Sequence, residues 1–475
     1  MKVLKFGGTS VGSAENIKRV REILMGQDDD VIVVVSALGG ITDKILSAAK
    51  MAAIGTGYFQ AELTEINTRH YQTIEKLFVA EKQEDIKAKT TVLLEELERI
   101  IQGVSLIGEL TPKTLDKIGG FGERLSSLII SEFIPESKWF DSSKLIKTNS
   151  DFGKAIVDFG QTNQLIQLAF ASFSGIAIVP GFISSNDAGE YTTLGRGGSD
   201  YTGAILAAAM DVASLEIWTD VNGFMTADPR VISKAYTIKM LSYSEAMELS
   251  HFGAKVIYPP TILPVYKKGI PVRIKNTMEP EAEGTLITDS KLNGKDLPIK
   301  GISSISNITL ITIQGLGMVG VTGISARLFG ALARQNVNVI LISQASSENS
   351  ISFAIDSSSS SKAEAAIRQE FDREIQLDQI NKITIEENLA IVAIVGENMK
   401  HATGVAGKLF NTIGKNGVNI IAIAQGASEL NISWVVKISD LRKTLNVVHE
   451  SFFLSENVEL NVFLLGIGLV GGNLL

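Results

Sequence analysis

An internal repeat with a spacing of 81 residues, in the last third of the chain, constrains the fold more than any other feature. Gly315 aligns with Gly396, and no gap is needed through the next 38 positions. Met318 falls on Met399, Thr322-Gly323 on Thr403-Gly404, Leu328-Phe329 on Leu409-Phe410 and Val337-Asn338 on Val418-Asn419. Gln344 falls on Gln425, Ser347-Glu348 on Ser428-Glu429 and Ile351-Ser352 on Ile432-Ser433. Each copy reads as strand, glycine loop, amphipathic helix, strand, turn, strand. Two copies predict a pair of small α+β modules with pseudo-twofold symmetry. A repeat establishes architecture and leaves the ligand open.

The chain ahead of the repeat has a different rhythm. Val3 to Phe6 predicts a short strand, Gly7-Gly8-Thr9-Ser10 a loop and Ala14 to Met25 a helix. The β-branched run Val31 to Val35 reads as a strand buried on both faces. This βαβ unit predicts an α/β domain with a parallel sheet. Residues from about 44 to 110 are charged, with apolar positions at helical spacing (Leu93, Leu94, Leu97, Ile100, Ile101), so a helical excursion is expected there. Strands resume at Ile176 to Val179, Leu215 to Trp218 and Pro271 to Ile274, and the polar stretch Thr288 to Lys300 reads as a linker.

Composition narrows the chemistry. A length of 475 residues fits two to four domains at roughly 100–200 residues each. There is no cysteine, which excludes a disulfide scaffold, a thiolate zinc site and a cysteine nucleophile. The four histidines, His70, His251, His401 and His449, show no metal-ligand spacing. A net charge of -8 argues against a general binder of nucleic acid or anionic membrane. No apolar run reaches the roughly 18 residues of a membrane span, and the start Met1 to Phe6 is too short for a secretory signal. A cytoplasmic protein is expected.

Several glycine clusters carry charged partners. Lys5-Phe6-Gly7-Gly8-Thr9-Ser10 sets a lysine at a strand end before two glycines and two hydroxyls, a phosphate cradle distinct from the P-loop. Gly119-Gly120-Phe121-Gly122-Glu123-Arg124 brings an acid and a base to the head of the apolar helix Leu128 to Phe133. In Leu194-Gly195-Arg196-Gly197-Gly198-Ser199-Asp200, three glycines surround an arginine, and Ser199-Asp200 read as a helix cap before Thr202 to Met210. A capping turn alone does not need three glycines and an arginine, whereas bidentate carboxylate binding does use the arginine. Thr219-Asp220-Val221-Asn222-Gly223 follows a strand, where open α/β sheets bind ligands. Ser242-Tyr243-Ser244-Glu245 is a capping box. The end, Val462 to Gly472, carries GxGxxG without the helix, second strand and acidic residue of a dinucleotide fold.

Taken in order, Lys5 to Ser10, Gly122 to Ser126, Arg196 to Asp200, Thr219 to Gly223, Asp228 to Arg230 and Gly253 to Val256 resemble aspartokinase, over nearly the whole chain. The repeat is similar to that family's tandem ACT domains, and the terminal glycines resemble the start of a fused homoserine dehydrogenase. The resemblance implies an amino-acid-kinase fold, a mostly parallel sheet between helices, over residues 1–292. It further implies a linker at 293–300, ACT-like domains at 301–388 and 389–460, and a truncated dinucleotide-binding start at 461–475. It implies Mg-ATP as substrate complex, no NAD(P) in this chain, and no metal held by protein ligands alone. Lys5, Asp200 and Lys255 would be catalytic; Lys5, Gly7, Gly8, Thr219, Asp220, Met225, Arg230, Lys255 and Val256 would line the ATP site. Ser36, Thr42, Glu123, Arg196 and Ser199 would bind aspartate, arginine on the α-carboxylate and Glu123 on the ammonium. Many relatives carry tyrosine where Met225 stands.

In the regulatory half, lysine-sensing relatives place an aspartate near Ile340, whereas Ser343 to Glu348 and Ala424 to Glu429 resemble threonine-sensing members. Asn338, Gln344, Asn419 and Gln425 are the expected allosteric residues, with threonine as effector and a homodimer or homotetramer through the ACT-like domains. The alternatives are another amino-acid kinase, a non-catalytic amino-acid sensor, and an oxidoreductase built on the terminal glycines.

Overall fold

The computed structural model describes residues 1–253, 256–289, 297–344 and 348–454. Lys255, the expected linker up to residue 296, Ala345 to Ser347 and the terminal glycine motif therefore lie outside the described residues.

Among the described residues the first half is built on ten strands: β1 (Lys2–Phe6), β2 (Val31–Val35), β3 (Ser137–Trp139), β4 (Ile176–Pro180), β5 (Ile183–Ser185), β6 (Tyr191–Thr193), β7 (Leu215–Thr219), β8 (Met240–Ser242), β9 (Val272–Asn276) and β10 (Thr285–Thr288). Eight form one sheet in the order β3-β4-β2-β1-β7-β9-β10-β8, and β5 and β6 form a hairpin. Every pairing in the sheet is parallel except β9 with β10. The β-branched run of β2 is buried throughout, as two covered faces require.

Helices cover both faces. On one side Leu4, Phe6, Val33 and Val35 meet α1 (Ala14–Met25), α2 (Ile41–Ala53), α3 (Phe59–Leu77), α4 (Ala80–Ile107) and α6 (Phe121–Phe133), with α5 (Pro112–Gly119) beside them. On the other, Val3, Ile32, Val34 and Ile217 meet α8 (Phe159–Phe170), α9 (Gly198–Met210), α10 (Tyr243–His251) and α11 (Leu263–Lys268), with the short α7 (Ser142–Leu145) at the margin. The alternation of Val3 and Leu4, or Ile32 and Val33, between the two cores is the period-two signature of the strand. The expected helical excursion is α2 to α5.

The repeat also has the expected form. Strand β11 (Gly301–Gln314), α12 (Ile324–Arg334), β12 (Val339–Gln344), β13 (Ser350–Asp356) and α13 (Ser360–Glu370) make the first copy, followed by α14 (Asp372–Gln376). Strand β14 (Lys382–Val395), α15 (Val405–Lys415), β15 (Ala422–Gln425), β16 (Asn431–Lys437) and α16 (Leu441–His449) make the second. Equivalent glycines do equivalent work: a Cβ on Gly315 would lie 2.0 Å from the Gln379 carbonyl oxygen, and one on Gly396 2.1 Å from that of Pro298.

The modules do not follow one another as the boundary at 301 and the linker up to 300 anticipate. β11 is long enough to serve both: Ile308 to Gln314 pair with β13, while Gly301 to Ile305 pair with the end of β14. Ile299 and Ile302 are buried in the second module's core with Trp434, Leu445 and Val448. The first module is thus inserted between the first strand segment of the second module and its remainder. Six strands run β12-β13-β11-β14-β16-β15, and Ser343 Oγ of β12 donates to the Ile423 carbonyl of β15 at 3.1 Å, so the two ends of the sheet meet.

Candidate active site

Strands β1, β2, β4, β7 and β9 end at one edge of the sheet, and the chain runs from β1 to β2 on one side and to β7 and β9 on the other. Beyond the strand ends at such a switch point an open α/β sheet binds its ligand. A cavity of about 220 Å³ lies there, lined by Lys5, Ser36, Thr42, Glu123, Phe182, Gly195, Gly197, Gly198, Ser199 and Asp200.

Lys5 projects from β1 toward α9, and its Nζ lies 2.5 Å from Asp200 Oδ1 in a largely buried ion pair. Helix α9 packs against the strand through Gly203, where a Cβ would sit 3.5 Å from that of Lys5, an ordinary contact. Ser199 and Asp200 were expected as a cap, but the N-cap is Gly197, in the left-handed region at φ 71, and both residues fall in the first helical turn. That turn of the chain needs a residue without a Cβ, and it swings Asp200 toward Lys5 instead of outward. Gly7 follows Lys5 closely, a Cβ at Gly7 falling 3.6 Å from Nζ, and its N–H donates to the Trp218 carbonyl at 3.0 Å. Gly8 faces the Ala37 carbonyl.

Glu123 approaches from the opposite wall. It lies within α6, which starts at Phe121 and not at Leu128 as the apolar run suggests. Gly122 lets that turn touch Ala37, whose Cβ would be 2.7 Å from a Cβ at 122. Glu123 is 5% exposed, its Oε2 has no hydrogen-bond partner among the described residues, and burial pushes its pKa up from 4.5 to about 8. A buried carboxylate oxygen without a donor is costly unless a ligand supplies one. The cavity therefore joins an ammonium-carboxylate pair at one end to a donor-starved carboxylate at the other.

The remaining expected residues divide. Thr219 and Asp220 stand just past β7, where Thr219 Oγ1 donates to Asp220 at 3.1 Å. Met225 is half-buried, its sulfur accepting from Thr237 Oγ1. Arg230 is turned to solvent and grips Asp228 through Nε and Nη2, the latter at 2.7 Å. Val256 is half-buried against the core behind α9 and α10. Arg196 is exposed, its guanidinium 5.6 Å from the centroid of Tyr258, and does not line the cavity. Phe182 was not anticipated; it follows β4 at the same edge and holds φ 69 while its N–H bonds Thr202 Oγ1. Gly181-Phe182, placed directly after a buried strand, was the available signal. Lys275, second to last in β9, lies 4.7 Å over the Trp218 ring and was missed because the predicted strand stopped at Ile274.

In the first repeated module a second cavity, about 550 Å³, is lined by Met318, Gly320, Thr322, Gln344 and Glu348 among others. It takes up Gln344 but not Asn338, and Gln344, Asn338, Asn419 and Gln425 are all exposed. Glu348 Oε2 accepts the Gly320 N–H at 3.2 Å, and Glu429 accepts that of His401 at 3.1 Å, the same contact one repeat later. No helix among the described residues is long and apolar enough to cross a membrane.

A model of the amino acid kinase family matches residues 1–276, and an ACT domain model matches residues 311–371 and 392–452. The chain is 34% identical, over its whole length, to a chloroplastic bifunctional aspartokinase/homoserine dehydrogenase 2 of Arabidopsis thaliana, of which it spans 53%. Thus it covers about half the length of that relative. It is also 34% identical to the lysine-sensitive aspartokinase 3 of Escherichia coli, here over 95% of this chain and 99% of the other. The crystal structure of E. coli aspartokinase III in complex with aspartate and ADP superposes with a TM-score of 0.80 at 31% identity, covering 95% of this chain and 100% of that one. The chain belongs to the amino acid kinase family and, within it, to the aspartokinases.

Proposed function

We propose that this protein transfers the γ-phosphoryl group of Mg-ATP to the side-chain carboxylate of L-aspartate, giving 4-phospho-L-aspartate. The observation that carries the reading is the cavity holding the Lys5–Asp200 pair and the unpartnered Glu123 carboxylate together. Glu123 receives the substrate ammonium. Ser36, Thr42 and Ser199 offer hydroxyls to its carboxylates. Arg196, between the cavity-lining Gly195 and Gly197, exchanges its stacking on Tyr258 for a bidentate grip on the α-carboxylate.

The attacking oxygen is already ionised, so no general base is needed. Phosphoryl transfer then depends on alignment and on neutralising charge at the transferred group. Lys5, beside the amides of Gly7 and Gly8, supplies that charge at the strand end, with Asp200 fixing its direction. Thr219, Asp220, Met225 and Arg230 take the nucleoside side, beyond β7, together with Val256 and Lys255. Mg²⁺ enters bound to the nucleotide phosphates.

The kinase portion spans residues 1–292, and the portion from about residue 297 is regulatory. Threonine is the proposed effector, at the cavity bearing Gln344 and its counterpart by Gln425 in the second module. ADP release from Mg-ATP with L-aspartate tests the reading, run with L-glutamate as competitor and with L-threonine or L-lysine added. Aspartate-dependent turnover suppressed by threonine alone supports both assignments. Threonine binding without turnover would leave a sensor, and turnover with glutamate would make this a different amino-acid kinase. The paired ACT-like modules are proposed to mediate a homodimer or homotetramer.

A further inference from the structure

Between β7 and β8 the segment 224–237 leaves the kinase sheet and packs on the second regulatory module. Ala227 and Ile232 are buried in one core with Ile302, Trp434, Leu445 and Val448. At its centre Thr226 is 1% exposed, and each of its polar groups is engaged. Its N–H donates to the Tyr236 carbonyl at 2.9 Å, and its own carbonyl accepts from the Ile302 N–H at 2.8 Å. Its hydroxyl accepts the Tyr236 N–H at 3.2 Å and lies 2.9 Å from His449 Nε2. His449, the last residue of α16, is likewise 1% exposed. Its ring is 5.0 Å from that of Phe453, which in turn meets Tyr236 edge-on at 6.3 Å.

Two residues assigned to the nucleotide flank Thr226: Met225 precedes it, and Arg230, gripped by Asp228, follows four positions later. Near its ends the segment is tied to the kinase sheet, where the Phe224 N–H donates to Thr285 Oγ1 and its carbonyl accepts from Ile238 N–H. Between those ties its position is set by a module whose strands and helices belong to the regulatory half.

We propose that His449 is a positioning residue for ATP. Through its directional bond to Thr226 it holds Met225 to Arg230 at the height the nucleotide requires, so the second ACT-like module is a structural part of the nucleotide site. The inference rests on the kinase reading above. It predicts a selective effect, because the residues lining the aspartate cavity come from β1, α2, α6, α9 and the loops beside them, away from α16.

Steady-state kinetics and Mg-ADP calorimetry on the full chain test it. His449→Ala should raise KM for Mg-ATP and Kd for Mg-ADP on the order of fivefold, the factor carried by one intramolecular hydrogen bond. KM for aspartate should stay where it was. His449→Gln, whose amide nitrogen reaches toward the same hydroxyl, should restore most of the nucleotide affinity. If His449→Ala does not fold, Thr226→Val removes the hydroxyl at nearly constant volume and should show the same selective loss. Unchanged nucleotide affinity in a folded variant overturns the inference. So does an equal rise in both KM values with a lowered melting temperature, which would mark a purely structural role. Failure of the unaltered chain to bind Mg-ADP is visible before any substitution and would remove the kinase reading and this inference together.

Discussion

Glu123 sits against the cavity at the strand ends with one oxygen unpartnered among the described residues, and burial, opposed by hydrogen bonding from the Ala37 backbone, raises its pKa from 4.5 to about 8. Because the folded-state value lies above the unfolded one, the stabilising contribution of its proton is fully present below 4.5 and is lost as pH rises through about 8. A substrate ammonium reverses the preference, so at pH 7 aspartate binding should expel about one proton from this site. Calorimetry in two buffers of different ionisation enthalpy reads that proton directly. A binding enthalpy independent of buffer would sink the assignment. Glu123→Gln should abolish the release and weaken aspartate binding by roughly 10- to 100-fold, the range of a charged hydrogen bond. Lys5→Ala should lower kcat by about 100-fold or more, as removal of a charge-stabilising donor does, with KM for aspartate much less affected. Glu123 and Lys5 were legible in the sequence as charges set beside glycines. The outward turn of Arg196 onto Tyr258 and the inward turn of Phe182 were not, because side-chain direction depends on partners close in space but distant along the chain, Tyr258 for Arg196 and Thr202 for Phe182.

At the level of elements, the active-site loops are held by contacts too close for a side chain. A Cβ on Gly181 would lie 2.6 Å from both Cβ and Oγ of Ser199, and one on Gly198 2.6 Å from Phe182 Cδ2. Gly181→Ala should therefore push Ser199 out of line and raise KM for aspartate about tenfold or more, the cost of misplacing one substrate contact; kinetics beside a circular-dichroism melt would separate this from unfolding. Helix α10 shows a second kind of economy. Glu245 closes the capping box by accepting the Ser242 N–H at 2.9 Å, and its other oxygen accepts the Glu397 N–H of the second module, also at 2.9 Å. Asn431 adds a bond to Glu248 at 2.8 Å. Glu245→Ala should cost about 2–4 kcal/mol, a lost cap plus a buried donor left unpaired, measured by urea denaturation. A loss below about 0.5 kcal/mol, the surface value, would mean that the module contact is dispensable. The capping box was readable from Ser242-Tyr243-Ser244-Glu245; its use by a residue far along the chain was not.

For the whole molecule, the insertion of one module into the other makes a specific demand on folding. The second module's core needs Ile299 and Ile302, which precede the first module entirely. A fragment of residues 297–454 should melt cooperatively, whereas residues 389–454 should not, since they lack the neighbouring strand segment Gly301 to Ile305. Circular dichroism of the two fragments checks this, and a cooperative transition in the shorter one would show the modules to be sequential after all. The sequence by itself determined the elements: hydrophobic period, glycine punctuation and an ungapped repeat specify strands, helices and their pseudo-symmetry, because these depend on neighbours within a few residues. The cradle at Lys5 and the glycine-arginine loop were readable for the same reason. Only the tertiary structure decided that β11 is shared between two modules, that Asp200 turns back to Lys5, and that Thr226 meets His449. Those outcomes rest on pairings between distant segments, where many registers satisfy the local pattern and the packing of one common core selects among them.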